Sequence, residues 1–139
     1  MFGQDRDSLR AAYAGAWQRH LERLPLDLQQ QRIVDVLTMH PEYQALMMDP
    51  AALARDFDGS GGVTNPYLHM GLHVAIREQL GTGLPPEATQ AHARLASRLG
   101  DRHAAEHCLI DCLAQTLWQA QRDGREPDFE QYREALRGL

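Results

Sequence analysis

Apolar residues recur along this chain at the three-to-four-residue spacing of amphipathic helices, and no stretch alternates as a strand would. A first helix is predicted over residues 8–23, with Ser8 as N-cap and Leu9, Ala12, Tyr13, Ala16, Trp17 and His20 on one stripe. Pro25 ends it. A second helix is expected over 26–39, its stripe formed by Leu26, Ile33, Leu37 and then His40. Pro41 biases His40 away from helical dihedrals, which puts His40 at or just past that helix end. Short helical pieces follow over 42–48 and 50–55, and 56–64, rich in Gly, Asp and Ser, is the one clear loop.

Asn65 and Pro66 signal a helix start as N-cap and N1, for a helix that runs to Leu80 and stops at Gly81. Pro86 opens another that ends near Leu99 and Gly100. Asp101 caps the longest, over 102–122, with Gly124 as its stop, and a last short helix covers 128–137. The pattern describes an all-α, single-domain helical bundle over 1–139, with about five main helices plus short helical segments.

Composition narrows the picture mainly by exclusion. At 139 residues, 43% hydrophobic and 24% charged, the chain has the make-up of one soluble domain with a real core. No apolar run approaches the length of a membrane span, and the N-terminus lacks a secretory pattern, so the expected location is the cytoplasm. The net charge is −5 with no basic stripe, which argues against nucleic acid as a partner. All 14 basic residues are Arg, so Schiff-base, pyridoxal-phosphate and P-loop lysine chemistry is excluded. With three serines and no nucleophile elbow, acyl transfer is disfavoured. Cys108 and Cys112 sit four apart, outside the C-x-x-C pattern, and read as two small buried residues.

Candidate chemistry lies in the histidines. His69/His73 and His103/His107 each place two imidazoles one turn apart on a helix face. Seven histidines in 139 residues would give about 0.3 such pairs by composition alone, so two exceed chance. His69 and His73 fall beside the stripe of Leu68, Leu72, Ile76 and Leu80; His103 and His107 fall in the stripe of Ile110, Ala114, Leu117 and Trp118. Asp111 extends the second pair by a turn. Imidazoles on an apolar face need partners for their ring nitrogens, and a metal ion is one. The candidate ligands are His69, His73, His103 and His107, then His40 and Asp111, with Glu42 and Glu106 behind them. A transition metal such as zinc or iron suits that donor set. An open coordination position would activate water or dioxygen, with Glu106 or Glu42 carrying the proton. Glu78 points away, and His20 and His92 read as surface residues. Whether the protein is an enzyme is left open.

Residues 56–63 imitate the start of an EF-hand loop, with Asp56, Asp58, Ser60 and Gly61 in place. The twelfth position is Tyr67, where a bidentate Glu is required, so a plain polar loop is expected.

The strings His40-Pro-Glu-Tyr43, Asn65-Pro-Tyr-Leu-His69-Met-Gly-Leu-His73-Val-Ala-Ile-Arg-Glu-Gln79, Asp101-Arg-His103-Ala-Ala-Glu106-His107 and Leu117-Trp-Gln-Ala-Gln-Arg122 resemble a small proteobacterial family of unknown function over nearly the whole chain. The resemblance implies a bacterial cytoplasmic origin and a helical fold, and no activity. Gln44 stands where members often carry a further His, and Asp111 where they often carry Glu. Two readings stand: a metal-binding bundle, or a metal-free interaction module with internally satisfied histidines, as a homo-oligomer or with a protein partner.

Overall fold

Helix α1 spans Arg6–Leu21 and exposes a different face from the one its apolar residues suggest. Tyr13, Ala16 and Trp17 are buried, but Leu9, Ala12 and His20 are exposed and Arg10 takes the place between. The Arg10 guanidinium lies over the Tyr67 ring, 4.5 Å from its centroid, and donates to the carbonyls of Arg55 (2.7 Å) and Ala52 (3.3 Å). A charged side chain is therefore accommodated in the core because backbone oxygens and an aromatic face receive it. The computed structural model describes residues 6–53, 55 and 65–139; the loop with the calcium-site likeness, at 56–64, lies outside the described residues.

Helix α2, Leu28–Met39, starts two residues later than expected. Asp27 and Gln30 form a capping box: Asp27 Oδ1 accepts from the Gln30 N–H at 2.7 Å, and Gln30 Oε1 from the Asp27 N–H at 2.9 Å. The chain then turns through His40 into α3, Pro41–Met47, and the expected helix at 50–55 is a single 3-10 turn, Pro50–Leu53.

Helix α4 spans Pro66–Thr82. Asn65 caps it as predicted, Oδ1 accepting from the N–H groups of Tyr67 (3.0 Å) and Leu68 (3.3 Å). It runs through Gly81 and ends where Gly83 adopts φ +73°. Gly81 lies inside the last turn, whereas Gly83 supplies the left-handed conformation a terminus uses. Helix α5 (Pro86–Leu99), α6 (Arg102–Asp123) and α7 (Phe129–Arg137) follow, and Gly100 and Gly124 stop α5 and α6 at φ +68° and +65°. Among the described residues there are thus seven α-helices and no strand, five of the helices long and two short.

Backbone contacts group the chain into two compact units, Met1–Val74 and Ala75–Leu139. In the first, Tyr13, Trp17, Ile33, Val34, Val36, Leu37, Met47, Tyr67, Met70 and Val74 share one core. Tyr67, at the position where a calcium loop would need its Glu, is buried there and stacks with Tyr13 at 6.3 Å. Leu68, expected inside, is 60% exposed.

In the second unit Ala88, Ala91 and Leu95 of α5, Ala105, Leu109, Ile110 and Leu113 of α6, and Tyr132 and Leu136 of α7 are buried. The buried face of α6 is rotated from the expected stripe: Trp118 is 53% exposed, with Arg122 over its ring at 5.4 Å. Helix α7 is tied down by Arg94 donating to the Leu136 carbonyl (3.1 Å), by the Arg137–Glu87 ion pair (3.0 Å) and by the Tyr132 hydroxyl donating to Gln79 Oε1 (2.6 Å). No helix of the described residues is long and apolar enough to cross a membrane.

Candidate metal centre

The first histidine set belongs to the first unit. His40 closes α2 and opens α3, at φ −130° and ψ 71°, conformations that Pro41 favours over helical ones. Its ring is buried and its Nδ1 lies 2.8 Å from the Val36 carbonyl oxygen. A carbonyl only accepts, so Nδ1 carries the proton and Nε2 presents its lone pair. This is the hydrogen bond that orients metal-ligating histidines. Tyr43, the first residue of α3 to face back, stacks on His40 at 5.5 Å and 10°. Burial, and then the charge of Glu42, pushes the Tyr43 hydroxyl above its ordinary pKa.

His73 is fully buried and its ring centroid lies 4.5 Å from that of His40; His69 lies 5.5 Å from His40. His69 and His73 face each other across one turn of α4, with their Nε2 atoms 3.1 Å apart. The sequence spacing therefore does what was expected of it, and His40 joins the pair. Gln44, where an imidazole was thought characteristic, donates its amide to the Leu37 carbonyl at 2.9 Å and so closes the end of α2.

The second set belongs to the second unit and begins at the N-cap of α6. Asp101 Oδ1 accepts from the N–H groups of His103 (2.9 Å) and Ala104 (3.2 Å), fixing the turn that carries His103. His107 follows one turn later, and the two Nε2 atoms are 3.0 Å apart. Both rings are half-buried. Between them in sequence, Glu106 is buried and receives a fork from Arg77: Nε to Oε1 at 3.0 Å and Nη2 to Oε2 at 3.2 Å.

These separations have chemical content. Two nitrogens each about 2.05 Å from one ion stand about 2.9 Å apart at a right angle and about 3.3 Å apart at a tetrahedral one. The observed 3.1 and 3.0 Å fall between those limits. The same spacing serves a single N–H···N hydrogen bond between neutral rings. Each pair is thus a preformed bidentate donor or a two-ring hydrogen-bonded couple.

The remaining sequence candidates lie elsewhere. Asp111 is exposed and lines a groove of about 340 Å³ between α6 and α7, together with Cys108, Cys112, Thr116 and Gln131. Both cysteines are free thiols, half-buried rather than fully buried, and burial, then Asp111 and Cys108, pushes the Cys112 thiol up. Glu42 is exposed at the start of α3, and both oxygens of Glu106 accept from Arg77. The His20 ring lies tilted against that of Trp17 with centroids 5.0 Å apart, and His92 Nε2 sits 3.3 Å from the Arg102 carbonyl oxygen. Arg77 and Tyr43 were not singled out in the sequence. Arg77 continues the His69–His73 ladder by one turn, which is the one local sign that could have drawn notice to it.

An all-α protein whose histidines meet in pairs across helix turns is what the described residues define. More particularly, the chain belongs to the family described as a domain of unknown function (DUF1841), which matches residues 5–138. No curated protein and no solved structure matches it.

Proposed function

We propose that this protein binds transition-metal ions, zinc or iron, through its paired histidines: His69 and His73 with His40 in the first unit, and His103 and His107 in the second. The observation that carries the reading is the pair of Nε2–Nε2 approaches at 3.1 and 3.0 Å, joined by a His40 whose Nδ1 proton is committed to Val36. Asp111 is left out of this ligand set because its side chain is exposed at the α6–α7 groove.

The test is elemental analysis of untagged protein purified without chelator. Bound zinc or iron is expected, and its amount is expected to fall in His73→Ala and in His103→Ala. Metal-free protein that gains neither metal nor stability on incubation with either ion overturns the reading, and leaves the two pairs as hydrogen-bonded couples of an interaction module.

A further inference from the structure

The second unit also carries a pair of softer donors. Cys108 and Cys112 are the two cysteines of the chain, and both are free thiols. They sit one turn apart on α6, a spacing that sets the two Cβ atoms about 5–6 Å apart on one helix face. Both line the groove of about 340 Å³ whose other wall is Gln131, Ala135 and Leu139 on the α7 side. Both are half-buried, so they are shielded from bulk water and still reachable. Cys108 lies close enough to help raise the Cys112 thiol, after burial and Asp111.

The donors select their ion. Thiolates are soft ligands and favour soft ions. At metal–sulfur bonds of about 2.3 Å, two sulfurs on one ion stand at most about 4.6 Å apart, which side chains one helix turn apart reach by leaning together. Zinc asks for three or four protein ligands. Among the described residues, no third His, Cys, Asp or Glu joins the two cysteines in a group that could hold a metal. Copper(I) is the soft ion that two thiolates satisfy.

From the pair and its groove we infer that Cys108 and Cys112 form a two-sulfur site for copper(I), built without the histidines. Each thiol gives its proton to solvent as its sulfur–copper bond forms. The product is a singly negative bis-thiolate complex, and copper stays monovalent throughout. The groove is larger than an ion, which leaves room for a small thiol carrying copper(I) to be exchanged at the two sulfurs. The inference stands apart from the histidine reading and can fail without it.

The experiment uses the full-length untagged protein, reduced, kept anaerobic and titrated with copper(I) in acetonitrile. A thiolate-to-copper charge-transfer absorption is expected to saturate at one equivalent. Maleimide should label both cysteines of the empty protein and neither cysteine of the loaded one. Cys112→Ser is expected to lose the absorption and to leave Cys108 open to labelling in the presence of copper, with helix content by circular dichroism unchanged. His73→Ala with His103→Ala is expected to keep the absorption and the protection. Copper that is retained while both thiols are still labelled overturns the inference and makes the histidines the copper ligands. Copper that joins two chains into a dimer on size-exclusion chromatography, no bound copper, or cysteines that resist maleimide in the empty protein each overturn it too. Labelling of the wild type decides the matter even where Cys112→Ser fails to fold.

Discussion

Arg77 and Glu106 meet across 29 residues of sequence, and their pairing gives a carboxylate in the interior of the second unit two charge-assisted hydrogen bonds. The Glu106 side chain is 5% exposed and that of Arg77 24%. Removing the cation alone takes from a buried anion the fork it accepts, a loss that runs to about 3–5 kcal/mol when both partners are fully buried. Arg77→Met is therefore expected to cost about 2–3 kcal/mol in urea denaturation, Arg77 being partly solvated, and adding Glu106→Gln should recover most of it. Single residues were the least legible scale in the sequence. Beyond its place one turn after His73, nothing local distinguishes Arg77 from a solvated arginine at a helix surface, because Glu106 lies on another helix. Arg10 was hidden for the same reason: its charge reads as surface, and its receivers, the Ala52 and Arg55 carbonyls, are distant. The histidine pairs were legible because an i, i+4 relation is local and the helix alone enforces it.

Helix ends were the most legible elements, since caps act within a few residues. Asp101, Gly100 and Gly124 perform the roles their positions imply. Asp101→Ala is expected to cost about 1 kcal/mol and to loosen the turn that carries His103, so thermal stability and metal affinity should fall together. The face of α6 was less legible. Trp118 counts as apolar by composition, yet it lies outward under Arg122, and Ala105, Leu109 and Leu113 form the buried line instead. The tie from α7 to α4 predicts an alkaline transition. Burial raises the Tyr132 phenol to about 12. A folded-state pKa above the unfolded one gives stability that is full below the unfolded pKa, about 10, and lost as pH rises through the folded one. Melts of wild type should therefore decline between about pH 10 and 12, more steeply than those of Tyr132→Phe, which near pH 7 should be about 1 kcal/mol less stable for want of the hydrogen bond.

For the molecule as a whole, the proposed ion links binding to folding. Zinc at about 100 times its dissociation constant adds about 2.7 kcal/mol to a folded state that alone binds it, which for a chain of this length is a rise of about 5–10 °C in Tm. His40→Ala in the first unit and His107→Ala in the second should each reduce the rise.

The placement of the two tryptophans gives those measurements a built-in reporter. Trp17 is buried in the core of the first unit, while Trp118, in the second, is already half in water. Unfolding changes the surroundings of the first indole far more than those of the second. Intrinsic emission therefore follows the melting of Met1–Val74 almost alone, whereas far-ultraviolet circular dichroism sums the helices of both units. Superimposable curves from the two signals would mean that the units unfold together, and separated curves would give the stability of each from one unlabelled sample.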